Sequence, residues 1–388
     1  MEWKRVRLGD YISIKSGLAY KGSKIGKGNS VLLGMGCVSF KDKFVESGAR
    51  PYDGSDCDER FLVEPGDIVL ATRQQSNNLP ILAMPAIIPN SLEGKRVIFG
   101  TNLYKVENHS VISSKFLFWL MKHQHYVNYI AGVKSGTAVQ MVTKKNVEDY
   151  KFMCPPLEVR NKISDILWTY DSLIENNTKR ICVLEKMAES LYKEWFVRFR
   201  FPGHEKVEME NGLPKGWKVK RYEDELNVKY GKGLPTNRLT EEGFPVFGSN
   251  GQIGFYTSYM YETPQILISC RGASSGVVNI SLPKSFVTNN SLVCELTDKT
   301  ESVFEYLKYY FLNTNLVQYQ TGSAQPQITI NNVVKLKMLV PSHEVQCAFS
   351  KKIRVIDKEV ANLQNQNSLL TRQRDLLLPR LMSGKLEI

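Results

Sequence analysis

Two stretches of the chain carry apolar side chains at alternating steps of four and three. The first runs Ile163, Leu167, Tyr170, Ile174, Asn177, Ile181, Leu184, Ala188, Leu191, Trp195. The second runs Phe349, Ile353, Ile356, Val360, Leu363, Asn367, Leu370, Arg374, Leu377, Leu381, and each position lies 186 residues after its counterpart. Such a rhythm is a helical heptad seam. No proline interrupts residues 157–201 or 342–378, so both helices can run unbroken. A seam this narrow needs another helix to cover it. The chain supplies one partner for each, with Leu167, Tyr170, Ile174, Asn177, Leu184 and Leu191 expected to pair with Ile353, Ile356, Val360, Leu363, Leu370 and Leu377. The polar seam positions Asn177, Asn367 and Arg374 would fix register at a cost in stability. Separate packing of each helix on its own domain, or homodimerisation, is the competing arrangement.

The same separation of 186 residues relates the segments before the helices. Gly136 corresponds to Gly322, Thr143 to Thr329, Asn146 to Asn332, Lys151 to Lys337, Pro155 to Pro341 and Asp171 to Asp357, with no gap. The beginnings of the halves also match, at Trp3/Trp217, Asp10/Asp224, Lys15/Lys229 and Gly17/Gly231. Between these anchors the halves diverge, as two copies of one scaffold reading different targets would; drift after an old duplication is the plainer alternative. The expected division is a first head over 1–156, a long helix over 157–200, and a linker rich in Pro, Gly and charge over 201–215. A second head over 216–341 and a second long helix over 342–383 complete it. Each head mixes strand-like runs (68–71, 97–99, 265–269, 292–294) with helical ones (114–125, 303–312), which predicts an α+β class built from two related heads.

Charge narrows the function. The 51 Lys and Arg outnumber 39 Asp and Glu, giving +12 and a pI near 9.2, a field that draws polyanions, nucleic acid above all. Seven scattered cysteines form no C-x-x-C and read as reduced thiols of a cytosolic protein. No signal-like or membrane-length apolar run appears, so neither export nor membrane insertion is expected.

Catalytic signatures fail one by one. The run from Gly22 to Gly28 is one residue too short for a phosphate loop and ends in Gly where Ser or Thr binds Mg²⁺, so it reads as a mobile basic loop. Cys154-Pro155-Pro156 lacks the amide or carboxylate acceptor of an adenine methyltransferase motif. The five histidines form no metal pattern, and no metal is expected.

The recognition chemistry is expected at strand ends. Arg73-Gln74-Gln75-Ser76-Asn77 follows one apolar strand, and Arg271-Gly272-Ala273-Ser274-Ser275 follows its counterpart. Arg grips guanine O6/N7 with two donors, and Gln or Asn suits adenine; pairing of either Arg with an internal carboxylate is the alternative. Asn102, Asn250, Thr288, Asn289 and Asn290 form a second group of short hydrogen-bonders, though Asn also favours turns for local reasons. Lys21, Lys24, Lys27, Lys134, Lys144 and Lys145 are read as phosphate contacts or solvated charge. Thr137, Ser323, Gln325 and Gln327 lie where backbone N–H groups would be presented to phosphate.

These residues, with Leu213-Pro214-Lys215-Gly216-Trp217, the paired GTA and GSAQPQI segments, residues 341–344 and the ending LLLPRLMSGKLEI, resemble the specificity subunit of type I restriction–modification systems along essentially the whole chain. The resemblance implies two target-recognition domains reading the halves of a bipartite asymmetric DNA site, with the two long helices pairing antiparallel to set the spacer. It also implies assembly with two DNA-adenine methyltransferase subunits and two restriction/translocase subunits. S-adenosylmethionine and ATP/Mg belong to those partners, and no cofactor is expected in this chain. At Val139-Gln140-Met141 the first half departs from Gln325-Pro326-Gln327 of the second. The alternative function is a coiled-coil scaffold or dimerisation protein whose basic heads bind RNA or acidic partners.

Overall fold

The computed structural model describes residues 3–75, 81–322 and 326–388, which leaves Asn77, Ser323 and Gln325 outside the described residues. The chain forms two compact units, one from residues 1–177 and 366–388, the other from residues 178–365.

In the first unit the apolar run Ile68–Ala71 is an inner strand, because it has buried surroundings on both faces. Ile68 and Leu70 point into one core with Ile12, Val106 and Phe116, while Val69 and Ala71 point into another with Val97, Phe99 and Leu103. This is the two-residue alternation of a strand serving both sides of a sheet. The sheet order is Ile12–Ser16, Leu103–Asn108, Ile68–Ala71, Pro85–Ile87, antiparallel throughout. Ile25–Leu33 lies between Ala49–Tyr52 and Val97–Phe99 in a second sheet. The basic run expected as a loop is instead a 3-10 turn over Gly22–Lys24 followed by the irregular start of that strand, whose register shifts between Ile25 and Ser30. Lys4–Arg7 pairs with Lys151–Cys154, tying the beginning of the first half to the approach to its long helix.

The second unit repeats this plan. Its four-stranded sheet runs Leu226–Tyr230, Ser291–Leu296, Ile266–Ser269, Val278–Ile280, and Lys218–Arg221 pairs with Lys337–Val340. The segment 201–215 is more than a tether. Phe201 is buried and stacks on Trp217 at 5.3 Å, and Val207 and Leu213 pack on the same core. Its Pro, Gly and charged residues conceal these few anchors.

The long helices run Leu157–Tyr192, continued by a π-turn over Lys193–Val197, and His343–Met382. At 1.5 Å per residue they measure about 54 and 60 Å. In the first unit Arg374 donates to Asp171 at 2.7 Å, and Asn177 to Gln366 at 3.4 Å. In the second, Arg180 donates to Glu359 at 2.9 Å. Partner numbers fall on one helix as they rise on the other, so the segments pair antiparallel. All twenty seam positions are buried or half-buried. The outer ones, such as Ile163, Leu381, Trp195 and Phe349, also complete the cores of the heads.

The Asp171–Arg374 ion pair occurs once. The counterpart of Asp171 is Asp357, but the counterpart of Arg374 is the buried Ala188. Asp357 instead accepts from Lys308 at 2.7 Å and Tyr309 at 3.1 Å. Burial pushes the Asp171 carboxyl upward against the pull of Arg374. Burial also opposes the Arg374 charge, but Asp171 and Asp375 outweigh it.

Beside this pair Lys122 donates to the carbonyls of Ser39, Phe40 and Asp42 at 3.3, 2.9 and 2.7 Å. Burial, reinforced by Arg374, lowers its pKa from 10.5 to about 8. The unfolded chain therefore binds more protons between these values, and this term makes stability rise with pH through that window. Urea unfolding at pH 7, 8.5 and 10 is expected to show the wild type gaining on Lys122→Met only above pH 8. Parallel curves for the two proteins would contradict this assignment.

Candidate nucleic-acid interface

The candidate site of each head begins at a glycine. A Cβ on Gly17 would lie 2.2 Å from the Gly100 carbonyl oxygen, and one on Gly231 would lie 2.3 Å from that of Thr288. Only glycine permits this backbone approach. It lets Leu18 donate to Phe99 at 2.9 Å and Lys232 to Val287 at 3.0 Å. These contacts hold the end of the first strand of each sheet against the loop preceding its neighbour.

The arginines stand at the adjacent strand end in matching frames. Thr72 N–H donates to Asn102 O at 3.0 Å, and Cys270 N–H to Asn290 O at 2.9 Å. Val142 N–H reaches Thr72 O at 3.2 Å, and Ile328 N–H reaches Cys270 O at 3.0 Å. Arg73 consequently faces Met141 across a short ladder, while Arg271 faces Gln327 across an isolated bridge. Ser135 and Met141 close one hairpin with N–H to O distances of 3.0 and 2.8 Å; Thr321 and Gln327 close the other with 2.8 and 2.9 Å. The turns pass through Gly136 and Gly322 at φ 91° and 88°, in the left-handed region that favours glycine. The repeated residues are thus largely backbone machinery. Thr143/Asn146 and Thr329/Asn332 likewise form capping boxes at the short helices Lys144–Glu148 and Ile330–Val333.

Arg73 and Arg271 are both exposed, and neither makes an ion pair among the described residues. The alternative, an internal carboxylate partner, is found for neither arginine among the described residues. Gln75, Asn250, Asn290, Gln327 and Thr137 are exposed; Asn102, Asn289 and Ser274 are half-buried. The backbone contacts gather Asn289, Asn290 and Gln327 around Arg271, and Ser249, beside Asn250, donates to Asn290 O at 3.1 Å.

Other expected contacts are directed inward. Gln74 is buried; its Oε1 accepts from Ile81 and Leu82 N–H at 3.0 Å each, and its amide nitrogen donates to Gln140 at 2.6 Å. Lys134 is half-buried and donates to the same Gln140 oxygen at 3.0 Å. Ser275 and Thr288 are buried. Lys24 pairs with Asp56 at 2.8 Å, whereas Lys21, Lys27, Lys144 and Lys145 are exposed. Burial pushes the Cys270 thiol upward, with Arg271 opposing. Two exposed side chains at these edges were not among the expected contacts: Met141, which faces Arg73, and Lys232, whose carbonyl accepts from Asn289 at 3.1 Å. Gly231 was the available signal for Lys232. Among the described residues no group of three His, Cys, Asp or Glu side chains is placed to hold a metal, and no helix is long and apolar enough to cross a membrane.

Comparison with known proteins adds a separate line of evidence. The family model for the type I restriction modification DNA specificity domain matches residues 1–186 and 214–372. The specificity subunit of the type I restriction enzyme MjaIX from Methanocaldococcus jannaschii is 26% identical, over 71% of this chain and 70% of that protein. That of HindI from Haemophilus influenzae is 23% identical, over 99% of this chain and all of its own length. The crystal structure of a type I restriction-modification S subunit from M. genitalium aligns with TM-score 0.58 at 16% identity, covering 98% of this chain and 96% of that one. The fold is shared.

Proposed function

We propose, since this chain belongs to the type I restriction modification DNA specificity domain family, that its two heads each read one half of a bipartite asymmetric DNA site. As a specificity subunit it is a recognition component rather than an enzyme. The observation that carries the reading is the pair of exposed arginines, each at the end of a buried strand, in matching backbone frames and without a carboxylate partner among the described residues. A guanidinium so placed is free to fork onto guanine O6/N7. Arg73, Gln75 and Asn102 are assigned to one half-site. Arg271, Asn289, Asn290, Asn250 and Gln327 are assigned to the other. Lys21, Lys27, Lys144 and Lys145 are assigned to phosphates.

The chain would direct methyltransferase and restriction subunits to that site in the cytoplasm. S-adenosylmethionine and ATP/Mg would be held by those partners. Binding-site selection with the assembled complex tests the reading. A split sequence with a fixed spacer is expected; salt-sensitive binding to every duplex alike would point to the scaffold alternative.

The length of the paired helices is proposed to set the spacer. Removing one matched heptad from both shortens each by about 10 Å, or about 3 base pairs at 3.4 Å per pair. Selection with that variant should return a spacer shorter by this amount. An unchanged spacer removes the helices from the measurement.

A further inference from the structure

We infer that the first head carries a separate carboxylate-binding pocket built on Arg160. This residue lies in the first turns of the Leu157–Tyr192 helix and is only 8% exposed. Its guanidinium has one hydrogen bond among the described residues, from Nη1 to the Cys154 sulfur at 3.5 Å, and its Nε is buried with no partner among them. A buried guanidinium remains charged, and such a charge is costly unless an anion meets it.

The duplicated half shows what the position does without that role. Its counterpart 186 residues on is Gln346, fully buried and satisfied at both ends. Oε1 accepts from Val303 N–H at 2.9 Å, and Nε2 donates to Pro341 O at 2.8 Å. A neutral amide closes this site; the first half substitutes a cation and leaves it open.

Arg160 lines a cavity of about 430 Å³, with Lys4 as a second cation and Val6, Tyr11, Val111 and Pro156 among its walls. Among the described residues no acidic side chain lines it. A fork of N–H donors at an apolar wall suits a carboxylate on an apolar stem better than a heavily hydrated phosphate. The pocket also stands apart from the strand ends that hold Arg73. Tyr11 and Val111 flank the Ile12–Asn108 end of the ladder, and the Arg73 frame lies beyond its Ser16–Tyr104 end, about 14 Å further at 3.4 Å per residue.

The test is a thermal melt of the full chain with isovaleric acid and its neutral analogue isoamyl alcohol. A dipeptide ending in free leucine and its amidated form distinguish a peptide carboxylate from a free acid. At ten times its Kd the acid should raise Tm by about 3 °C, and the alcohol and the amide should not. Arg160→Gln should abolish the rise, Lys4→Ala should weaken the affinity several-fold, and Arg73→Ala should leave it unchanged. Equal shifts from acid and alcohol, an undiminished rise in both pocket variants, or tighter binding of inorganic phosphate would each overturn the assignment. If Arg160→Gln fails to fold, the acid–alcohol contrast and Lys4→Ala decide it.

Discussion

Replacing Arg271 with Ala is expected to relax recognition at one half-site while leaving the other half as stringent as before. Arg271 is exposed and has no ion-pair partner among the described residues, so its removal leaves no buried charge and the head should stay folded. One bidentate contact to guanine is worth about 1–3 kcal/mol, or roughly 5- to 150-fold in discrimination. Binding-site selection with the assembled complex would show mixed bases at a single position of one half-site. Uniform weakening on all sequences, with the salt slope reduced by about one, would move Arg271 to the phosphates. Arg73→Ala should mirror the effect on the other half-site. Because Met141 and Gln327 flank the two arginines, the bases beside the two contacts are expected to differ.

The second large effect concerns stability. Asp171→Ala should cost about 3 kcal/mol, because it removes the buried partner of the Arg374 guanidinium and leaves it only the largely exposed Asp375. The two side chains are 3% and 10% exposed. Adding Arg374→Leu should recover most of the loss, since an apolar side chain of similar size suits a helix seam. Asp357→Ala should cost less, because Asp357 is 30% exposed and its partner Lys308 reaches water. Urea unfolding of the four proteins measures this. A loss below about 1 kcal/mol for Asp171→Ala would mean that water already solvates the pair.

The periodic features were legible in the sequence. A seam stepping four and three needs a helix and a cover, and the 186-residue repeat supplied both copies; the arginines aligned because each follows a run apolar enough to be an inner strand. The inward-facing polar residues were not legible. Gln74 reads as a reader by residue type, yet a loop that leaves a buried strand needs its N–H groups satisfied, and the Gln74 amide does this for Ile81 and Leu82. Thr143 and Asn146 recur in the second half for an equally local reason, a helix cap visible in their spacing. The partner of Asp171 could not be read, because it lies 203 residues away and depends on the helices running in opposite directions.

The single ion pair also decides which copies can zip together. Two first helices aligned head to tail would set each Asp171 opposite an Ala188, so that each buried carboxylate would lose its Arg374 donor. Two second helices would set each Arg374 opposite an Asp357. Self-pairing would thus cost the first half its buried ion pair while leaving opposite charges facing each other in the second, so a stray amino-terminal fragment is better completed by the remainder of its own chain than by its twin.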